Sequence, residues 1–319
     1  MNARARHSQR GIALLTAIVL VAIATVLATA IAFASAMSAR RASTVFGADQ
    51  ALLAAEGAEA MAAYVLRQSG VNQTEVALNQ PWAQTYGPFE LMPGITLDFL
   101  QLEDQQSKFN INNLAPGGAS NAAATAAFSK LLTAVGLETK WAPLLADWID
   151  SDIEPNFPDG AEDSVYLGQS PPYRTANLPL TSISELLALP GFGRDRYNRI
   201  APYIAALPSG TSINICTAAG VVLDALSGGS GTSEWNVNPQ QLQARRQAEG
   251  CFPTLAAFQA STTGTQPQGS TGLPTGTTTS YYRLRSFITI GTARFSLYSL
   301  MQRDGAGQIH VILRTFGTE

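Results

Sequence analysis

Residues 12–37 run for 26 positions without a charged side chain, and nothing else in the sequence limits the fold as strongly. As a helix rising 1.5 Å per residue this run extends roughly 39 Å, enough to cross the ~30 Å hydrocarbon core of a bilayer. The eleven residues ahead of it carry Arg4, Arg6 and Arg10 and no acid, which predicts a cytoplasmic N-terminal side, although Arg40 and Arg41 on the far side weaken the bias. The competing reading is a cleaved secretory signal with Ala34-Ser35-Ala36 as its small-residue site. Such signals use apolar regions of roughly 7 to 15 residues, shorter than this one.

The junction Arg10-Gly11-Ile12-Ala13-Leu14-Leu15 resembles the class III leader of type IV pilins and type II secretion pseudopilins. The resemblance implies cleavage by prepilin peptidase between Gly11 and Ile12, N-methylation at Ile12, and retention of the apolar run as membrane anchor and filament core. Most members of that family carry a glutamate at the fifth mature position, whose carboxylate offsets the N-terminal ammonium of a neighbouring subunit. Here that position is Thr16. An unpaired carboxylate in a bilayer is costly, so a subunit with no neighbour above it gains nothing from having one. Thr16 therefore points to a tip position, and with the large soluble part it narrows the resemblance to the minor pseudopilin K family of type II secretion systems. The plain alternative is an ordinary signal-anchor that tolerates threonine.

Residues 38–68 are rich in Ala, Leu, Glu and Arg, with apolar positions at Phe46, Leu53, Ala60 and Tyr64, so anchor and stem are expected to form one helix of roughly 85 Å ending near Ser69-Gly70. After Pro93-Gly94, residues 95–102 alternate as a strand does. A short extended piece at 109–114 is echoed at 212–217, the pattern of an insertion whose two ends are tied into one sheet. Between them helices are predicted at 122–135, 141–149, 182–189 and 194–207, and beyond them at 219–226 and 239–249. Residues 259–280 read as an exposed, poorly ordered loop of Thr, Gly, Gln and Ser. Strands follow at 281–290, 294–302 and 308–316, the last two joined by Asp304-Gly305-Ala306-Gly307.

The expected fold class is thus α+β: a long N-terminal hydrophobic helix packed on a small antiparallel sheet, interrupted by an inserted, mainly helical domain. The segments are a leader (1–11), a transmembrane helix (12–37), a stem (38–69), a first core part (70–114), the insertion (115–211) and a second core part (212–319). This arrangement resembles that of K-type pseudopilins. Further residues carrying the resemblance are Asp147-Trp148-Ile149-Asp150, Gly160-Ala161-Glu162-Asp163, Pro171-Pro172-Tyr173-Arg174, Asn177, Ser184-Glu185-Leu186 and Ile213-Asn214.

Asp147, Asp150, Asp152, Glu154, Asp159, Glu162 and Asp163 place seven of the chain's 23 acids within 17 residues, and no Lys or Arg lies between Trp141 and Tyr173. Like charges this dense need solvent or a cation. Oxygen donors without nearby His or Cys suit Ca²⁺, which takes 6 to 8 oxygens, rather than a softer metal. The run is not an EF-hand, because Pro155 stands where the turn glycine belongs and Ala161 at its twelfth position. The family resemblance implies a calcium site here, with Asp150, Asp152, Asp159, Glu162 and Asp163 as ligand candidates. A solvated acidic loop with capping aspartates is the alternative.

Residues 182–205 imitate a helix-hairpin-helix unit around Leu189-Pro190-Gly191-Phe192-Gly193, with Arg194, Arg196 and Arg199 following. Net charge argues against nucleic acid as a partner: it is −3 overall and −6 once the leader's three arginines are removed, whereas binding phosphates needs a basic surplus. Cys216 and Cys251, 35 positions apart, are expected to pair if this part lies in an oxidising compartment; two buried thiols are the alternative. With only His7 and His310, and no G-x-S-x-G, S-x-x-K, Walker or dinucleotide motif, no enzymatic role is expected.

The resemblance implies a single-pass inner-membrane protein with its C-terminal domain in the periplasm. It would assemble with minor pseudopilins I and J, and its family neighbours further include pseudopilin H and the major pseudopilin. It would be cut by prepilin peptidase, and the resemblance offers the secretin and the exoprotein as further contacts. The rival reading is a signal-anchored periplasmic calcium-dependent hydrolase or binding protein.

Overall fold

A computed structural model describes residues 8–69, 74–227, 234–263 and 273–317. Helix α1, Ser8–Ser69, runs unbroken for 62 residues. Its Ala- and Leu-rich composition favours helix throughout, but the two halves bury different things. Over the first half Ile12, Leu14, Leu20, Val26 and Ile31 are all exposed, and the most apolar window has a mean hydropathy of 2.7 with no residue buried inside the chain. A helix apolar on all sides and packed on nothing in its own chain suits a lipid or helical-filament surround. The expected leader lies mostly in residues 1–7, outside the described residues, whereas Gly11 and Ile12 fall within α1.

The second half packs on a sheet, through a face that differs from the apolar positions singled out in the sequence. Phe46, Leu53 and Tyr64 are exposed, and the buried face is Ala51, Ala54, Ala55, Ala58, Ala62 and Leu66. Alanine lets the helix backbone approach the sheet closely, whereas the bulky residues are left for other surroundings. Glu59 is the one charged residue on this face. It is 4% exposed, accepts from Ser299 Oγ at 2.6 Å, and is held by Arg314 Nε at 2.8 Å and Nη2 at 2.6 Å.

After α1 come β1 (Thr85–Tyr86), β2 (Phe89–Met92) and β3 (Ile95–Asp104). The helical part then comprises β4 (Phe109–Asn110), α2 (Ala122–Ala134), α3 (Trp141–Ile149), α4 (Asp163–Tyr166), α5 (Gly193–Ile200), β5 (Ile204–Ala205), β6 (Ile213–Asn214), α6 (Gly220–Leu226), α7 (Pro239–Glu249), α8 (Leu255–Thr263) and β7 (Thr275–Gly276). Strands β8 (Tyr281–Ile290), β9 (Ala293–Arg303) and β10 (Ile309–Phe316) close the chain. The main sheet is antiparallel, in the order β1-β3-β8-β9-β10, with β2 also paired to β3. On β8 the alternation places Tyr282, Leu284, Ser286 and Ile288 inward. On β3 a register shift between Leu97 and Phe99 lets Leu97 and Leu100, three positions apart, both reach the core. The short β1 and β2 are too brief to leave an alternating pattern in the sequence.

A second hydrophobic core lies among the helices, where α2 packs on α3 and α6. It gathers Phe109, Phe128, Leu131, Trp141, Leu145, Ile149, Phe192 and Ile200, and extends past residue 211 to Ile213, Val222, Leu223, Phe258 and Leu273. Segments expected in the sheet domain thus share the helical core. Two further expectations change. Residues 259–263 belong to α8, Leu273 is buried, and β7 pairs in parallel with β6, so the described part of 259–280 is not an exposed loop. The similar pieces near 109 and 213 do not share a sheet: β4 pairs with β5, and β6 with β7. Asparagine side chains join the ends of the insertion instead. Asn110 Oδ1 accepts from Leu207 N at 3.1 Å, Asn112 Nδ2 donates to Leu207 O at 2.8 Å, and Asn113 Oδ1 accepts from Gly210 N at 2.8 Å. Cys216 and Cys251 form a disulfide, braced by buried Arg246, which donates to Ile215 O at 2.8 Å and Phe252 O at 2.7 Å.

Candidate functional site

The acidic segment closes around three carboxylates. Asp147 lies in the last turn of α3 and Asp150 caps its C-terminus, three residues apart and therefore on one face. Glu162 is the residue before α4. All three are buried, at 0%, 0% and 5% exposure, and each contributes an oxygen to a group whose members lie within 4.8 Å of one another. The negative end of a helix dipole is an unfavourable place for two acids, so α3 adds to the repulsion.

Asn156 reaches back to meet part of this charge. Its backbone N–H donates to Asp147 at 3.1 Å, and its side-chain amide donates to Asp147 Oδ1 and, at 3.4 Å, to Asp150 Oδ2. A Cβ at Gly160 would overlap Asp147 Oδ2 and the Asn156 backbone, so the loop closes here only over glycine. Thr175 Oγ1 donates to Glu162 Oε2 at 3.3 Å. Two buried acceptors, Asp150 Oδ1 and Glu162 Oε1, have no hydrogen-bond partner among the described residues. Burial first, then the neighbouring carboxylates, pushes Asp150 up to about 6 and Glu162 up to about 7; Asp147 is raised by burial as well.

Of the five ligand candidates read from the sequence, the structure brings together Asp150 and Glu162. Asp147 joins them, and its signal in the sequence was the i, i+3 spacing to Asp150 on a helix. Asp152 and Asp159 are exposed on the loop, although the charge of Asp152 is felt by Asp150. Asp163 turns to Thr175 N at 3.1 Å and Arg174 at 3.7 Å. Buried oxygen-only acceptors with two orphaned lone-pair atoms fit a hard cation such as Ca²⁺.

A second buried carboxylate stands at the junction of sheet and helices. Asp104, 3% exposed, accepts from Gln106 N at 2.7 Å, Thr217 Oγ1 at 2.6 Å, Thr279 Oγ1 at 2.7 Å and Asn214 Nδ2 at 3.0 Å. Burial raises it to about 6 in spite of these donors.

The hairpin arginines are engaged within the chain. Arg196 forms a two-pronged pair with Glu138, at 2.8 and 3.0 Å, and Arg199 reaches Gly136 O at 3.5 Å. Thr16 Oγ1 donates to its own helix, to Ala13 O at 3.0 Å. His310, on β10, pairs with Asp304 at 2.9 Å.

Comparison with known proteins agrees with this architecture. Residues 107–209 match the family described as type II secretion system (T2SS), protein K, and residues 10–58 match a PilX N-terminal family. Type II secretion system protein K of Pseudomonas aeruginosa is 31% identical, over 98% of this chain and 94% of that protein. Its counterpart from Klebsiella pneumoniae is 34% identical, over 98% and 95%. A chain in the crystal structure of the GspK-GspI-GspJ complex from the enterotoxigenic Escherichia coli type 2 secretion system superposes with a TM-score of 0.68 at 27% identity, covering 88% of this chain and all of that one. An unpacked apolar helix, a stem seated on an antiparallel sheet, and an inserted helical head together with these likenesses place the chain in the type II secretion system protein K family.

Proposed function

We propose that the chain is a minor pseudopilin at the tip of a type II secretion pseudopilus, where it initiates assembly with minor pseudopilins I and J for exoprotein export. The observation that carries this reading is the likeness to protein K relatives over 98% of the chain, joined by the likeness to a chain from a K-I-J complex. The physical parts fit the role. The apolar half of α1 offers helix surface to neighbouring subunits, and Thr16 satisfies its hydroxyl locally, so no charge on this side chain calls for a subunit above. The helical head adds bulk that repeated packing along a filament shaft would not accommodate.

We further infer cleavage between Gly11 and Ile12 with N-methylation at Ile12, an inner-membrane anchor at residues 12–37, a periplasmic C-terminal part, and a structural rather than catalytic role. Family membership favours these over a signal-anchored hydrolase or binding protein. Calcium belongs to the same proposal, held by Asp147, Asp150 and Glu162. It would supply the positive charge that lets the three remain ionised while buried. Asn156, Gly160 and Thr175 orient the carboxylates and close the loop over them.

Replacing Gly11 by Val in the full chain tests the assembly role. Loss of leader processing and of exoprotein export is the expected result, with I and J co-purifying only with the processed wild-type chain. Unchanged processing and export would sink the reading.

A further inference from the structure

Among the described residues, the loop that closes over the three carboxylates also carries the two most solvated large apolar side chains. Phe157 is 96% exposed and Ile153 is 76% exposed, four residues apart on either side of Asn156. Leu178, 66% exposed, follows Asn177, whose backbone N–H binds Trp148 O at 3.1 Å and whose amide binds Asp152 O at 3.0 Å, so it sits beside the same loop. Phe109, Phe128 and Phe192 of the helical core are each 1% exposed or less. Single exposed apolar residues are ordinary, but two on one anchored loop with a third beside it mark a contact surface.

The loop is preorganised. Asn156 is tied to Asp147 and Asp150, Pro155 and Pro158 restrict the backbone on either side of Asn156-Phe157, and Gly160 closes the turn. Side chains held in place lose less freedom on binding. The charge around them selects the partner. Asp152, Glu154 and Asp159 are exposed between and beside the apolar residues, no Lys or Arg occurs from Trp141 to Tyr173, and Arg174 turns to Asp163. An anionic lipid surface would be repelled, whereas a cationic rim would be attracted.

We propose that residues 152–159, with Leu178 beside them, form a docking knob that inserts Ile153 and Phe157 into an apolar pocket rimmed by Arg and Lys on a protein partner of the assembled secretion system. The proposal rests on the tip role above, because it uses the head of the subunit and leaves the stem free for I and J. The carboxylate group beneath the loop sets the height at which Phe157 is presented, through Asn156.

The test uses the full-length chain in its native host. Ile153→Ser combined with Phe157→Ser should leave leader processing and co-purification with I and J unchanged and lower exoprotein export at least tenfold. With Phe157→p-benzoylphenylalanine, the photo-adduct should map to apolar residues flanked by Arg or Lys on another protein. Glu154→Lys, or a rise in salt, should lower its yield severalfold. Unchanged export in the double serine variant would overturn the knob while leaving the tip role standing. Adducts formed with lipid or with a second copy of the chain, or a yield indifferent to Glu154→Lys, would overturn it as well. Failure of the wild-type chain to bring down I and J would count against the tip role itself.

Discussion

Asp104 and the Asp147, Asp150 and Glu162 group are both buried acid sites, and they solve the same electrostatic problem in opposite ways. Asp104 is a single carboxylate met by four donors from three separate segments, all supplied by the chain. The three-acid group receives donors from Asn156 and Thr175, but two of its buried oxygens have no partner among the described residues, at the negative end of a helix. A buried acid whose donors are complete acts as a structural rivet. A cluster whose donors are incomplete holds capacity for a ligand. Burial of charge does not by itself define a site; the completeness of its hydrogen bonding does.

This contrast can be broken most directly with calcium. At a thousand times its dissociation constant, calcium should stabilise the chain by about 4 kcal/mol over the chelated form, read as a rise in melting midpoint. Asp150→Asn with Glu162→Gln should abolish the gain, and an equal gain in that variant would refute the assignment. Next in size, Asp104→Ala should cost about 3 kcal/mol in urea unfolding, with and without calcium alike, because it strands Thr217, Thr279 and Asn214 without their acceptor. A cost that changes with calcium would show the two sites to be coupled. Gly160→Ala should cost about 2 kcal/mol through overlap with Asp147 and Asn156. Calcium titration of that variant should also show weakened binding.

The smallest effect is pH-dependent. Asp104 is raised to about 6, Asp150 to about 6 and Glu162 to about 7, so the native state holds more protons than the unfolded chain between their ordinary range near 4 and these values. Stability of the calcium-free chain should therefore fall as pH rises from about 5 to about 7. With calcium the contribution of the three-acid group should reverse, because protons then compete with the cation, while that of Asp104 should not. Melting midpoints across that range, with Asp104→Asn and Asp150→Asn measured separately, would apportion the two.

Long-period features were legible in the sequence. The uncharged run of residues 12–37, the alternation along β8 and β9, and the bounds of α7 all arise from patterns of side chains within one element. The stem is less legible: the spaced apolar positions Phe46, Leu53, Ala60 and Tyr64 are all exposed, and other alanines form the packed face. Close approach of a helix to a sheet rewards small residues, and hydrophobicity alone does not report that. Residues 255–263 and 273–276 were obscured by the polar tract between them, although Leu273 is buried. Of the five ligand candidates read from the sequence, Asp150 and Glu162 are the two that the structure brings together. Asp147 is not among those five, because its place in the group depends on Asn156 and Gly160 folding back over the end of α3.

Local composition and period alone determined a helix long and apolar enough to cross a membrane, a stem, a meander of strands, and an acidic stretch too dense to stand without solvent or a cation. Convergence needed three dimensions. Only the packed chain decides which carboxylates lose water together, which donors reach Asp104 from positions 214, 217 and 279, and which apolar residues of one loop remain in solvent. The physical reason is that desolvation and hydrogen-bond completeness depend on distances between residues far apart in sequence, whereas helix and strand periods depend on neighbours.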